Sequence, residues 1–273
     1  MLCESAIYFM LPVLAARKSD VHGGERGPST RSVISPKEST EPPYTWIRML
    51  DGVGGERPRG PSLSRLGIKG RDVTTAYTVV NLQQGTTEWL EWRSNGIGAS
   101  DAPAIMGENP WKSPADLLSE KLGTAEQFEC SAAMVRGTAL EPEARKRYEA
   151  IRKVRVTPAC LQSNKHTWQR ASVDGLAADG STVVEIKCGE SVHRKTASSR
   201  QVPSYYIGQL QHILAVTGLP GIDFFCWLPG LQEIHLSVER DDPYIARLIG
   251  TEQAFWQQLI KQKGGKKVLR SSE

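Results

Sequence analysis

Asp174, Glu185 and Lys187 are the residues whose types and spacing are best suited to chemistry. They stand in two stretches, Ser172-Val173-Asp174-Gly175 and Val184-Glu185-Ile186-Lys187, with Asp179-Gly180 between them. An Asp-Gly pair between two β-prone runs is a strong hairpin signal. If those two residues form the loop, Asp174 pairs with Glu185 across the hairpin and Ser172 pairs with Lys187. Side chains alternate faces along a strand, so Asp174, Glu185 and Lys187 share one polar face while Val184, Ile186 and Cys188 point the other way. Opposed carboxylates repel unless a cation sits between them. The pattern therefore points to a divalent-metal site with an ammonium group beside it.

The elements that must position these groups can be read from caps, turns and hydrophobic spacing. Thr86 or Thr87 caps a short helix through Arg93, and Gly96–Asp101 is a turn. Ser100 or Asp101 then starts a helix over 102–106, and Ser113 with Pro114 opens another that Gly123 ends. Residues 131–153 form a long helical region interrupted near Gly137, where Thr138 and Glu141 fit a capping box. Strands are expected over 154–161, 168–177 and 182–188, and the segment 189–202 is a polar loop. An amphipathic helix covers 203–217 and stops at Gly218. Two more strands, 222–228 and 231–238, precede a last helix from Asp242-Pro243 to about Gln262 and a basic tail over 263–273. Helices flanking two hairpins give an α/β (α+β) domain with a mixed, mostly antiparallel sheet. On that helix 203–217, Gln209 borders the apolar stripe and His212 is expected on the surface; Trp89 and Trp92 are expected in the core.

Residues 1–75 read as a poorly ordered extension, with residues 76–262 as the functional domain. Seven of the 16 prolines and nine of the 25 glycines fall within the first 72 residues. No period of 3.6 or 2 is sustained there. The apolar run Ala6–Ala16 lacks a basic leader and carries Glu4 instead, so it is read as a tail and not as an export signal. The formal charge of +4 is uneven: residues 1–72 hold 11 Lys/Arg against 8 Asp/Glu, and the rest hold 23 against 22. Nucleic-acid binding by the domain must then come from a local groove, with Arg194, Lys195 and Arg200 as surface candidates. Cys3, Cys130, Cys160, Cys188 and Cys226 are widely spaced with no Cys-x-x-Cys pair, which argues against a disulfide framework or an iron–sulfur cluster. A reduced, cytoplasmic setting is expected. No stretch approaches a membrane span.

Asp174 followed by Glu185-Ile186-Lys187 resembles the core of the PD-(D/E)xK nuclease superfamily, with Val173 where that motif has proline. The wider order is more specific: Trp89, Arg93, Gly98-Ala99-Ser100, Gly137-x-x-x-Glu141, Asp174-Gly175, Glu185-Ile186-Lys187-Cys188 and Gln209-Leu210-Gln211. It resembles the YqaJ-type viral recombinase family, to which phage lambda exonuclease belongs, from about Trp89 to Leu259. The resemblance implies a restriction-endonuclease-like core and a magnesium-dependent exonuclease, with manganese as substitute, that degrades one strand of duplex DNA from its 5′ end. It assigns Asp174, Glu185 and the backbone carbonyl of Ile186 to the metal and Lys187 to the attacking water. Glu141 and Gln209 fall at the same centre, Arg93 and Ser100 at the 5′ phosphate, and Trp89 in the first motif. It also implies double-stranded DNA ends as substrate, a single-strand annealing protein as partner, and a homotrimeric ring as an admissible assembly. An endonuclease on the same core, and a DNA-end-binding protein without catalysis, are the alternatives.

Overall fold

The computed structural model describes residues 76–125 and 131–270, with side chains described to residue 264. The expected extension over 1–75, its apolar run and the last three residues of the tail lie outside the described residues.

One sheet organises the chain, in the order β1-β3-β4-β5-β6-β7, with a short β2 also paired to β4. Its strands are β1 (Tyr77–Val80), β2 (Ile97–Gly98), β3 (Val156–Ser163), β4 (Gln169–Ala177), β5 (Val183–Lys187), β6 (Gly221–Cys226) and β7 (Ile234–Glu239). The β1/β3, β3/β4, β4/β5 and β6/β7 pairs are antiparallel, while β5/β6 and β2/β4 are parallel. The mixed, mostly antiparallel sheet flanked by helices is the expected class. The helices are α1 (Thr87–Ser94), α2 (Ala102–Ile105), α3 (Pro114–Lys121), α4 (Ala132–Arg152), α5 (Glu190–Ser199), α6 (Ile207–Thr217) and α7 (Asp242–Arg270). Among the described residues, no helix is long and apolar enough to cross a membrane.

Period-2 alternation distributes the core to both sheet faces. Val183 and Phe224 pack with Leu210, Ile213 and Leu214 of α6. Val184, Ile186 and Phe225 pack on the other face with Ala144 and Tyr148 of α4. Covered on both sides, the central strands read as near-continuous apolar runs. A third cluster joins Ile97, Ala104, Ile105, Leu117 and Phe255, which ties α2, α3 and α7 to the β2 end of the sheet.

Several expectations are corrected. Helix α4 runs through Gly137 without interruption, so Thr138 caps nothing; Ser131 caps the helix by accepting from the Met134 amide. The segment expected as a polar loop contains α5. Its serines and threonines are poor helix formers, but Val192, His193 and Thr196 are buried, and that packing outweighs propensity. The last helix continues past Gln262 to Arg270. His212 is fully buried, not on the surface. Its Nδ1 lies 2.6 Å from Glu252 Oε1 and its Nε2 3.0 Å from the Arg170 carbonyl, and Gln169 donates to the same carboxylate at 2.6 Å. Burial opposes charging of His212, but the adjacent Glu252 carboxylate outweighs it and raises the imidazole above its ordinary value.

The hairpin has the expected register and a different loop. Gly175 pairs with Val184 and Leu176 with Val183. Ala177 still bonds Thr182 (2.9 Å), so four residues, not two, make the connection. Asp179 causes this: its carboxylate accepts from the Ser181 amide (3.0 Å) and hydroxyl (2.7 Å), closing an Asx turn, while Gly180 takes φ +69°.

Candidate active site

Strand β4 is bordered on one edge by two different strands. Its start pairs with β2 through Gln169 and Arg170, and its end pairs with β5 through Gly175 and Leu176. The paired ladder with β5 stops one residue short of Asp174, so neither Asp174–Glu185 nor Ser172–Lys187 is a ladder pair. In place of a backbone bond, Asp174 Oδ2 accepts from the Ile186 amide at 2.6 Å. The strands diverge there, and a cavity of about 510 Å³ opens over the split.

The candidate residues reach this cavity from six elements. Arg170, Ser172 and Asp174 come from alternate positions of β4, and Glu185 and Lys187 from β5. Met134, Thr138 and Glu141 come from α4, Gln209 from α6, and Trp89 and Arg93 from α1; the turn after β2 contributes Ser100. The residues the sequence singled out for the metal, the water and the 5′ phosphate are thus gathered in one place.

Glu185 is 3% exposed. Its Oε1 accepts from Lys187 Nζ and from Gln209 Nε2, each at 2.6 Å. Its Oε2 is buried with no hydrogen-bond partner among the described residues. A buried carboxylate oxygen without a partner carries a desolvation cost that a cation would remove. Lys187 also lies 4.8 Å over the Tyr206 ring. Burial by itself would depress the Lys187 ammonium, but the charges of Glu185, Tyr206 and Asp174 outweigh it and hold the group above its ordinary value. Burial first, then the Glu141 and Asp174 charges, push the neighbouring Cys188 thiol up to about 12, so it stays protonated.

Arg93 and Ser100 meet directly: Nη2 donates to Oγ at 2.6 Å. Arg93 stacks 4.8 Å over Trp89, whose indole N–H donates to Ser172 Oγ at 2.8 Å. Asp101 fixes the turn that carries Ser100. It accepts from the Gly98 amide (2.8 Å) and forms a buried ion pair with Lys121 (2.8 Å). Burial would raise Asp101, yet Lys121 and Arg93 hold its carboxyl below the usual range. The result is a rigid, cationic corner beside the carboxylate centre.

The sequence reading missed Arg170. Its guanidinium packs 5.1 Å from the Trp92 ring centroid, and its Nε and Nη1 are buried without a hydrogen-bond partner among the described residues. Gly96 makes room for it: a Cβ there would lie 2.6 Å from Arg170 Cδ. Strand alternation counted back from Asp174 through Ser172 reaches Arg170 and could have found it. Arg194 and Arg200 are exposed on or beside α5 and do not line the cavity.

Asp174 and Glu185 suit a hard divalent cation. Magnesium takes one or two carboxylates and keeps several waters. Among the described residues, no three His, Cys, Asp or Glu side chains form a ready cage. A two-carboxylate set, with one carboxylate oxygen orphaned, fits the magnesium pattern.

Residues 88–220, which contain all of these candidates, match the YqaJ-like viral recombinase domain. The Bacillus subtilis protein YqaJ is 32% identical over 181 residues, covering 64% of this chain and 57% of that protein. The chain therefore spans little more than half the length of this relative. Among solved structures, the alkaline exonuclease LHK-Exo of Laribacter hongkongensis is 30% identical with a TM-score of 0.60, covering 68% of this chain and 99% of that one. The same enzyme in complex with dAMP gives 30% identity and a TM-score of 0.59, with the same coverage.

Proposed function

The chain belongs to the YqaJ-like viral recombinase family, and from that premise we propose that it is a metal-dependent exonuclease that hydrolyses linear duplex DNA from the 5′ end in phage-type recombination. The observation that carries this reading is the buried Glu185 carboxylate. One oxygen is clamped by Lys187 and Gln209, and the other has no partner among the described residues. The restriction-endonuclease-like core, the alkaline exonuclease relative and that relative's complex with a nucleoside monophosphate support it.

Asp174, Glu185 and the Ile186 carbonyl would hold magnesium, with manganese as substitute. The bound ion would neutralise charge on the scissile phosphate and lower the pKa of its water. Gln209 and Lys187 fix the rotamer of Glu185, so the carboxylate is aimed before substrate arrives. Lys187, held as an ammonium, orients the attacking water and balances negative charge that develops on the phosphate. Glu141 projects from α4 into the same space as a further acceptor for that water. Arg93, Ser100 and Arg170 form an anion corner for a terminal 5′ phosphate, which carries close to two negative charges. A pocket that reads the 5′ end gives the direction of degradation. The remaining 3′ single strand requires a protein that pairs single strands, so an annealing protein is the proposed partner. A ring of three copies would keep the enzyme on its track.

End-labelled linear duplex, with and without a 5′ phosphate, tests this in magnesium and in chelator. The reading expects magnesium-dependent release of mononucleotides from the 5′-phosphorylated strand and no attack on closed circles. Lys187→Met should lower the rate about 10²–10³-fold. Cleavage of closed circles would favour an endonuclease, and binding without cleavage would favour a silent end-binding protein.

A further inference from the structure

The cavity mouth carries an aromatic group that the hydrolytic chemistry does not use. Trp111 is 72% exposed, yet it lines the same cavity as Glu185 and Lys187. Its ring meets Tyr205 edge-on, with centroids 4.9 Å apart at 75°. Tyr205 in turn lies 4.7 Å from Tyr206, the ring that Lys187 covers. Lys195 places its ammonium 5.0 Å over Tyr205. Three aromatic rings in contact therefore run from solvent to the active-site lysine.

The loop that presents Trp111 is built to hold it still. Asn109 Oδ1 accepts from the Trp111 amide (2.8 Å) and from the Lys112 amide (3.1 Å), forming an Asx turn. Lys112 is tied to Glu120, and the next residue, Ser113, caps α3 with Asp116 reaching back to it. A side chain this exposed adds little to stability, and nothing in the packing requires an indole there.

We infer that Trp111 and Tyr205, with Lys195 beside them, form a stacking site for an unpaired nucleobase of the strand that enters the cavity. The inference rests on the DNA reading above and goes beyond it. Trp111 stands at the rim of a cavity of about 510 Å³, where a base can lie flat on its ring only if it is not held in a pair. The terminal base must therefore leave its partner, at a cost of a few kcal/mol. Flat aromatic faces recover that loss for any base, and a neighbouring lysine adds a phosphate contact.

The test uses the full chain in chelator, where the strand stays intact. The probe is a 5′-phosphorylated duplex with 2-aminopurine at the terminal position. Binding of the wild type should quench the probe by stacking. Trp111→Ala should abolish the quench and weaken affinity roughly 5- to 150-fold. Trp111→Phe should retain most of both. An abasic residue at that position should bring wild type and Trp111→Ala to equal affinity. Lys195→Met should instead reduce the slope of log affinity against log salt by about 0.7–0.9. Unchanged affinity and an undiminished quench in Trp111→Ala would overturn the stacking site while magnesium-dependent cleavage persists. A wild type that neither binds nor cleaves duplex ends would overturn the functional reading, and the stacking site with it.

Discussion

Replacing Lys121 by methionine probes how the anion corner is held. Lys121 and Asp101 form an ion pair with side chains 0% and 5% exposed, and Lys121 also donates to the Gly96 carbonyl at 2.9 Å. Removing one partner of such a pair costs about 3–5 kcal/mol, because the other charge stays buried. Arg93 still acts on Asp101, which places the expected loss near the lower end, about 3 kcal/mol. For a domain of this size the melting temperature should fall by roughly 6–12 °C. The loss should also depend on pH with a definite sign. In the wild type the folded pKa of Asp101 lies below its ordinary 3.8. The pair's contribution is therefore present above 3.8 and is lost only as pH falls through the folded value. In Lys121→Met, burial, the largest influence, is opposed only by Arg93 and the Gly98 amide, and the folded pKa should rise above 3.8. Acid then protonates the buried carboxyl and relieves the penalty. Melts followed by circular dichroism between pH 4.5 and 8 should show a deficit that shrinks as pH falls. A deficit under 2 °C, or one independent of pH, would refute the reasoning.

Glu252→Gln should change the pH profile of stability in another way. His212 is raised by Glu252, so its contribution is full below pH 6.5 and is lost as pH rises through the folded value. Without that carboxylate, burial depresses His212, and the variant should lose stability as pH falls below 6.5; urea titrations at pH 5.5 and 8 check this. Gly96→Ala should cost about 1–3 kcal/mol, because its Cβ would stand 2.6 Å from Arg170 Cδ and 2.8 Å from the Trp168 carbonyl. It should also reduce the preference for 5′-phosphorylated ends, read as the rate ratio of phosphorylated to unphosphorylated duplex. Removing residues 1–75 should leave nuclease activity unchanged, measured on the same substrates.

The candidate site was largely legible in the sequence because strand alternation and hairpin register are short-range properties. Asp174, Glu185 and Lys187 needed only period 2 and a turn. Three helices and a turn, spread along the chain, bring Glu141, Gln209, Arg93 and Ser100 to the same cavity, and only the ordered resemblance connected them. What stayed hidden depended on tertiary contacts. The polar segment of α5 is helical because Val192 and Thr196 are buried, which composition does not reveal. His212 looked like a surface residue because its partner, Glu252, lies forty positions away on α7. Arg170 looked like one more basic residue until Gly96 and Trp92 were seen to enclose it. The two-residue loop failed because Ser181 offers Asp179 a competing turn.

Manganese binding followed by electron paramagnetic resonance tests the centre of this account most directly, on wild type, Asp174→Asn and Glu185→Gln in the absence of DNA. The wild type should bind the ion, and each variant should lose at least tenfold in affinity while keeping its circular dichroism spectrum. Equal affinity in all three proteins would contradict the assignment of these carboxylates to a metal.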